Sequence, residues 1–170
     1  MSVPAPVGIA LDFDALYRAA RDDVFAYVAT LLHDRGAAED VTALAFERAF
    51  RKRGTFDAKR GTQRAWLFGI ARNAALDELR TRRRTAALAT EPASDAAAPE
   101  DEAELALRRA AVRSALAALP AREREVIALK FHAGLDNAEL AAVLEISVSN
   151  AGTRLHRALT TLREALDDRS

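Results

Sequence analysis

Residues 135–162 read LDNAELAAVLEISVSNAGTRLHRALTTL, and this stretch decides the fold. It opens with the residue types of a capping box, because Asp136 can accept from a backbone N–H three residues on and Glu139 can bond back. A short helix is therefore predicted over about 137–144. A tight turn over residues 145–147 should follow, with Ser147 as the N-cap of a second helix.

The second helix of this stretch has two chemically different sides. The apolar side should pack inward, and it consists of Val148, Ala151, Leu155, Ala158, Leu159 and Leu162. The polar side carries groups that bond to base edges and phosphates, namely Ser149, Asn150, Thr153, Arg154 and Arg157. A capped helix, a tight turn and a helix with a polar face form the helix-turn-helix pattern. An ordinary helical hairpin with a solvated face fits this stretch equally well.

Two further helices are predicted just upstream. The apolar residues expected inside the first of them are Leu105, Val112, Leu116 and Leu119. Pro120 interrupts the pattern, a second helix is predicted over about 121–133, and Gly134 ends it.

An acidic strip over residues 85–104 divides the chain. It contains six Asp and Glu, no Lys or Arg, two Pro, and Leu88 as its only large apolar residue. Such a segment cannot bury enough apolar surface to offset the entropy lost on ordering. We interpret it as a flexible linker between two small helical domains, at residues 1–84 and 105–170. The first carries 15 Lys and Arg against 11 Asp and Glu, and the second 10 against 8.

Residues 1–84 predict three helices. Apolar residues recur at steps of three and four from Phe13 to Leu31, and Gly36 is expected to provide a left-handed cap after this first helix. The second helix is predicted over about 38–52. After a loop over 54–61, a long helix is predicted over about 62–84.

The long helix carries an unusual stripe. Trp66, Asn73 and Arg80 are seven residues apart and share a face, and residues 80–84 are rich in arginine. Aromatic side chains beside Arg and Asn are what proteins use to stack on unpaired bases and hold their backbone. The alternative is that Trp66 belongs to the core and the arginines form a solvated helix end.

Composition excludes several function classes. The chain has no Cys, and its three His do not fall in a metal-binding spacing. No acid–base pair or phosphate loop indicates an enzyme, so no cofactor and no metal is expected. No apolar run reaches the roughly 18 residues that span a membrane, and residues 1–10 lack the pattern of a signal peptide. We therefore expect a cytoplasmic protein without membrane insertion.

Two stretches resemble the extracytoplasmic-function group of bacterial sigma factors, the subunits with which RNA polymerase reads promoters. The first covers residues 37–84, and its most specific piece is AWLFGIARN at 65–73. The second covers residues 115–166, with LP at 119–120 and RLHRA at 154–158. Their order, their spacing and the variable linker agree with the family, so the resemblance covers nearly the whole chain.

The resemblance implies an all-α fold with a region 2 domain at 1–84 and a region 4 domain at 105–170. Docking on the beta-prime clamp of core RNA polymerase would fall to Glu39, Asp40, Phe46 and Arg48. The minus-10 promoter element would be recognised and melted by Asp57, Lys59, Arg60, Trp66, Asn73 and Arg80. The region 4 domain would meet the beta flap and read the minus-35 element with Ser149, Asn150, Thr153, Arg154 and Arg157.

The sequence departs from the family pattern at three places. Ala43 and Leu44 stand where Gln-Glu is usual, so the detailed contacts with the beta-prime clamp should differ from those of the family. Glu145 stands where the turn usually has Gly, a more permissive residue. The family commonly has Lys or Arg near the position of Gly152. Glycine there removes an expected phosphate contact and costs roughly 1 kcal/mol of helix propensity. We predict weaker or altered minus-35 reading, testable by Gly152→Lys.

Two other interpretations stay open at this stage. A stand-alone helix-turn-helix regulator would bind duplex DNA without polymerase, although residues 1–84 show no sensor pocket or dimerising helix. A degenerate sigma-like interaction protein would bind partners without promoter activity. The family also makes an anti-sigma factor an expected partner.

Overall fold

The computed structural model describes residues 11–86 and 103–168 of the chain. All seven α-helices of this part are joined by turns and loops, and the prediction of an all-α fold is confirmed. Their bounds are α1 Phe13–Leu32, α2 Arg35–Arg51, α3 Gln63–Ala86, α4 Ala103–Ala118, α5 Ala121–Phe131, α6 Asn137–Leu144 and α7 Val148–Asp167. A short 3₁₀ turn, Arg53–Thr55, follows α2. Most of the predicted acidic linker, residues 87–102, lies outside the described residues.

The turn between α1 and α2 is tighter than predicted. His33 adopts the left-handed conformation with φ of 51°, and the next residue, Asp34, caps α2 by accepting from the backbone N–H of Ala37 at 3.1 Å. The prediction that Gly36 provides the left-handed cap is therefore wrong. Because Asp34 can satisfy a free N–H of the first turn, α2 starts at Arg35 and Gly36 lies within it.

The helix-turn-helix forms as the caps predict. The Oδ1 of Asp136 accepts from the backbone N–H of Glu139 at 2.8 Å, and the reverse bond to Glu139 Oε1 is 3.4 Å. Ser147 caps α7 through the backbone N–H of Asn150. Between the two helices Glu145 sits in the left-handed region with φ of 55°. A side chain in this conformation costs roughly 1–2 kcal/mol, which is why glycine suits the position.

Three residues predicted to be inside are exposed. Leu105 and Val112 of α4 are 41% exposed each, and Val148 is 54% exposed. Helix α4 packs chiefly against α7 and buries only Ala115 fully. The periodic apolar pattern therefore exists in α4, but among the described residues too little packs against the N-terminal half of this helix to cover it. Val148 is the first residue of α7, ahead of the part that packs inward.

One hydrophobic core runs through both blocks of the chain. Helix α1 packs against α5, and α3 packs against α6. As a result Tyr27 and Phe68 from the first block share a cluster of buried residues with Leu129 and Leu140 from the second. Each large side chain buried in this way contributes about 1.5–3 kcal/mol. In this structure residues 11–86 and 103–168 are thus in direct apolar contact.

Candidate nucleic-acid interface

The polar side of α7 separates into two parts. Ser149 and Thr153 are exposed and point away from the core, and the Thr153 hydroxyl donates to the Ser149 carbonyl at 3.0 Å. Asn150, Arg154 and Arg157 turn instead toward the start of α5, where they line a cavity of about 290 Å³. The structure therefore brings the five predicted minus-35 residues to one helix but to two adjoining surfaces.

His156 belongs with Ser149 and Thr153. It is exposed and lies one turn beyond Thr153 on the same side of α7. We call Ser149, Thr153 and His156 the reading face. Sequence reasoning did not select His156. The signal was available, because the steps of four residues from Ser149 to Thr153 and three from Thr153 to His156 place all three on one side of a helix.

Gly152 lies beside the reading face at the contact between α7 and α6. A Cβ placed there would lie 3.6 Å from the side-chain nitrogen of Asn137, an ordinary van der Waals distance. The backbone of Gly152 is helical, so no unusual conformation requires glycine. A Cβ atom therefore fits at this position without rearrangement of α6.

The predicted minus-10 residues begin in the loop after α2. The Oδ1 of Asp57 accepts from the backbone N–H of Lys59 at 2.9 Å, and the Asp57 carbonyl accepts from that of Arg60 at 3.0 Å. Asp57 thus folds the loop on itself and leaves Lys59 and Arg60 exposed. They line an open cavity of about 510 Å³ together with Phe56, Ala58, Gly61, Thr62 and Gln63.

Trp66 stands next to this loop, partly buried. Its ring meets that of Phe56 edge to face, with centroids 5.7 Å apart and planes at 67°. Asn73 is exposed two turns further along α3. Trp66 therefore both packs against the protein and keeps part of its ring accessible beside a basic loop.

A charged network ties the end of this stripe to α2. The Oδ1 of Asp77 accepts from Arg80 at 3.0 Å, and its Oδ2 accepts from Arg48 at 3.1 Å. Arg80 was predicted to meet DNA and Arg48 to meet polymerase. Both are thus held by one carboxylate, so the two predicted sites are physically contiguous.

The remaining predicted polymerase contacts differ in accessibility. Glu39 and Asp40 are exposed, and Glu39 lies 3.6 Å from Arg35. Phe46 is buried and packs edge to face against Phe13 and Tyr17. An accessible aromatic ring on this helix is instead Phe50, which is 48% exposed and covered on one face by Arg53 at 3.9 Å. Sequence reasoning missed Phe50 because the helical pattern placed it with the apolar residues.

A second group of charges lies where the two blocks meet. We call Tyr27, Arg64, Arg72, Glu125 and His132 the junction. The Glu125 carboxylate is buried, accepts from the Tyr27 hydroxyl at 3.1 Å and pairs with Arg72 at 2.5 Å. Burial raises the pKa of the Tyr27 phenol well above its ordinary value, and the neighbouring carboxylate raises it further.

Arg64 and His132 complete the junction. The Arg64 guanidinium pairs with Asp23 and donates to the carbonyls of His132 and Ala133 after the end of α5. The imidazole of His132 is 3.4 Å from the Thr30 hydroxyl. Burial lowers the pKa of His132, while the Asp23 carboxylate acts in the opposite direction.

Residues 11–86 and 103–168 contain neither a membrane-spanning helix nor a cluster of metal-binding side chains. None of the helices is long and apolar enough to cross a membrane. Within the same ranges no group of three or more His, Cys, Asp or Glu residues is placed to hold a metal ion.

Comparisons with known proteins bear on both blocks. The sequence matches Sigma-70 region 2 over residues 16–85 and Sigma-70, region 4 over residues 109–162. It is 33% identical to the ECF RNA polymerase sigma factor BldN of Streptomyces coelicolor over 168 residues, which cover 96% of this chain and 64% of BldN. It is 30% identical to SigK of Mycobacterium tuberculosis, covering 91% of this chain and 86% of SigK.

A solved structure agrees with these matches. The sigma factor RpoE from Bartonella quintana superposes with a TM-score of 0.80 at 26% identity, covering 92% of this chain and 97% of that one. The findings support promoter direction of RNA polymerase and do not support a stand-alone regulator. With both family regions matched in order, the chain belongs to the extracytoplasmic-function RNA polymerase sigma factors.

Proposed function

We propose that this sigma factor reads the minus-35 element with α7 and melts the minus-10 element with the loop after α2 and the Trp66 side of α3. The observation that carries the proposal is the reading face, a row of exposed polar side chains on the second helix of a well-capped helix-turn-helix. Side chains of this kind at the start of a recognition helix reach base edges in the major groove.

The minus-10 proposal rests on two positive side chains that lie close to the accessible part of an aromatic ring. Lys59 and Arg60 would hold the backbone of a displaced strand, and a base would stack on the accessible part of Trp66. Asn73 offers a donor and an acceptor for a base edge. Taking a base out of the duplex costs a few kcal/mol, and the stacking and base-edge contacts would offset this cost.

For polymerase docking we propose the exposed side of α2. Glu39 and Asp40 supply negative charge, Arg48 lies on the same helix, and Phe50 adds an accessible aromatic ring. Phe46 would support this surface from below, since it is buried against α1. The docking partner would be the beta-prime clamp, and the region 4 block would meet the beta flap. Such an assembly would operate in the bacterial cytoplasm.

Promoter reading would require the two blocks to separate. The two elements are about 25 base pairs apart, or about 85 Å at about 3.4 Å per pair. A compact unit of about 140 residues has a radius of gyration near 14 Å and is only about 40 Å across. With α5 and α6 packed against α1 and α3, one molecule could not contact both elements. The junction would therefore open on the polymerase.

An anti-sigma factor is the second partner that we propose. The RpoE structure contains that sigma factor in complex with the anti-sigma factor NepR. By analogy, a partner of the same class would bind this chain and keep it from polymerase. The absence of cysteine means that any thiol-based sensing would belong to such a partner.

Run-off transcription with core polymerase tests the proposed function. The template is the DNA upstream of the chain's own gene, and transcript should depend on the added chain. Trp66→Ala and Asn73→Ala should each abolish most transcript while leaving the complex with core polymerase intact. A stable complex that yields no transcript on any template would support the degenerate interaction protein instead. Absence of any complex with core polymerase would overturn the proposal.

The proposed separation of the two blocks can be measured with a pair of dyes. The chain has no cysteine of its own, so dyes attach only to cysteines that are introduced. Ala19→Cys on α1 and Asp167→Cys on α7, both at exposed positions, can carry a donor and an acceptor dye. Energy transfer should fall when core polymerase and promoter DNA are added. Unchanged transfer in a transcribing complex would contradict the proposed separation.

A further inference from the structure

Asp77 joins two arginines that were predicted to meet different partners. Its Oδ1 accepts from Nη1 of Arg80, one turn further along α3, at 3.0 Å. Its Oδ2 accepts from Nη1 of Arg48 on α2 at 3.1 Å. Arg80 belongs to the predicted minus-10 residues, and Arg48 belongs to the predicted polymerase contacts. One carboxylate therefore holds a candidate DNA ligand and a candidate polymerase ligand at the same time.

All three side chains of this network are accessible. The side chain of Arg48 is 34% exposed, that of Asp77 49% and that of Arg80 63%. A guanidinium has five N–H donors, so the bond from Nη1 to Asp77 leaves donors on each arginine for another acceptor. Both arginines can therefore bind an outside group while they remain bonded to Asp77.

Stability alone does not account for this network. Ion pairs between exposed side chains contribute little to the free energy of unfolding. Helices α2 and α3 already pack against each other and contribute buried residues to the same core. What the network does is to hold two long side chains in place. A free arginine loses rotamer entropy when it binds a partner, and an arginine that is already held loses less.

The charge of Asp77 allows positioning to be distinguished from electrostatics. By charge alone, a carboxylate beside Arg80 disfavours the approach of a nucleic-acid phosphate. Replacing it with a neutral group should then tighten the binding of a strand. Holding Arg80 in one orientation has the opposite effect, because less entropy remains to be lost on binding. The sign of the change in affinity therefore separates the two roles.

We propose that Asp77 is a positioning residue that presents Arg80 to the displaced minus-10 strand and Arg48 to the polymerase in one fixed relation. The proposal rests on the proposed function of α2 and α3. Docking that immobilises Arg48 also immobilises Asp77, and through it Arg80. The strand then binds a side chain whose ordering has already taken place, which favours binding. Asp77 thus links the two sites through a single carboxylate.

Binding of a single-stranded minus-10 oligonucleotide to the holoenzyme tests this role, with core polymerase saturated by the chain. The oligonucleotide is the non-template strand upstream of the chain's own gene. Asp77→Asn removes the charge, keeps the size of the side chain, and should weaken binding by about twofold to tenfold, as expected when one long side chain is no longer held. Asp22→Asn is the matched control, because it removes an exposed carboxylate that pairs with Arg21 on α1. The control should not weaken binding.

A double-mutant cycle separates positioning from a general effect on the fold. In an Arg80→Ala background, Asp77→Asn should weaken strand binding no further, because the side chain that it positions is gone. Arg48→Ala should weaken strand binding by about twofold even at saturating polymerase, since Asp77 then loses one of its two partners. Equal losses from Asp77→Asn with and without Arg80 would overturn the proposal. Tighter strand binding by Asp77→Asn would overturn it as well.

The outcomes also distinguish this proposal from the proposed function. If the wild-type holoenzyme transcribes from its promoter and Asp77→Asn binds the strand as tightly as wild type, the positioning role alone is wrong. If the chain forms no complex with core polymerase, the proposed function is wrong. The cycle of Asp77 and Arg80 is then measured with the free chain at low salt. A loss that depends on Arg80 would support the positioning role, and a loss that does not would overturn it.

Discussion

The junction and the reading face use polar residues in opposite ways. At the junction every charge has a partner, and Glu125 is buried between Tyr27 and Arg72. On the reading face Ser149, Thr153 and His156 are exposed and bond at most to their own helix. Paired and buried charges fix one arrangement of the two blocks, whereas solvated polar groups remain available to DNA.

This difference predicts two kinds of variant. Changes at the junction should alter stability and the contact between the blocks, since they leave a buried partner unsatisfied. Changes on the reading face should alter DNA binding with little effect on stability, because surface substitutions usually cost less than about 0.5 kcal/mol.

The largest effect is expected for Glu125→Ala. It leaves the partly buried Arg72 and the fully buried Tyr27 hydroxyl without their acceptor, and breaking a buried pair in this way costs about 3–5 kcal/mol. Urea unfolding measures the loss. Glu125→Gln retains an acceptor for Tyr27 and should lose less. Glu164→Ala, at an exposed position of α7, is the matched control, and equal stability of the Glu125→Ala and Glu164→Ala variants would contradict the assigned role of Glu125.

A smaller loss is expected for Arg64→Ala. This side chain pairs with Asp23 and satisfies two carbonyls after α5, so its removal should cost about 1–3 kcal/mol. Arg64→Lys keeps the positive charge but loses the several N–H donors of the guanidinium. Its free energy of unfolding should therefore lie between those of wild type and Arg64→Ala. Arg18→Ala serves as the control at an exposed position of α1. If Arg64→Lys were as stable as wild type, the carbonyl contacts would not contribute.

Local features of this fold could be predicted from sequence, and the contacts between distant segments could not. The caps at Asp136 and Ser147 were predictable because each bond joins residues three apart. The Tyr27–Glu125 and Arg72–Glu125 contacts join residues 98 and 53 positions apart. No pattern along the chain indicates such pairs, and the sequence analysis did not single out Glu125.

Periodicity also identified apolar sides without showing what covers them. Leu105 and Val112 fit a helical repeat and yet are exposed, because α4 packs chiefly on α7. For the candidate site, the polar side of α7 was visible in the sequence. That side divides into the reading face and the cavity that Asn150, Arg154 and Arg157 line with α5. The division depends on where α5 begins, and this is a property of the tertiary structure.

On the reading side, Gly152→Lys should strengthen minus-35 binding. A Cβ atom at residue 152 makes only an ordinary contact with Asn137. We expect a lysine beside the reading face to add a phosphate contact, and loss of glycine stabilises α7 by roughly 1 kcal/mol. Gly152→Ala separates the two effects, since it changes helix propensity without adding charge. The measurement is holoenzyme binding to upstream promoter DNA against salt, where only the lysine should raise the slope, by about 0.9. Unchanged upstream binding with lysine would contradict the prediction.

The smallest expected effect is a pH dependence that comes from His132. Burial lowers the pKa of this imidazole in the folded chain, so the unfolded chain binds more protons in the window from the ordinary value of about 6.5 down to the folded value. Stability should therefore fall as the pH drops through that window. The charged groups next to this imidazole are Asp23 and Arg64, which pair with each other. Asp34, whose pKa is lowered chiefly by its backbone bond from Ala37, loses its contribution only in more acidic solution, below about pH 4.

The measurement is the urea midpoint at about pH 7.5 and about pH 5.5, on either side of the ordinary histidine value. His132→Gln removes the titrating group and keeps a side chain that can bond to Thr30, so its midpoint should depend less on pH than that of wild type. His156→Gln, which changes an exposed histidine on the reading face, should keep the wild-type dependence. If both variants shifted equally with pH, the partly buried His132 and the exposed His156 would be equivalent, and the contrast between junction and reading face would not hold for this pair.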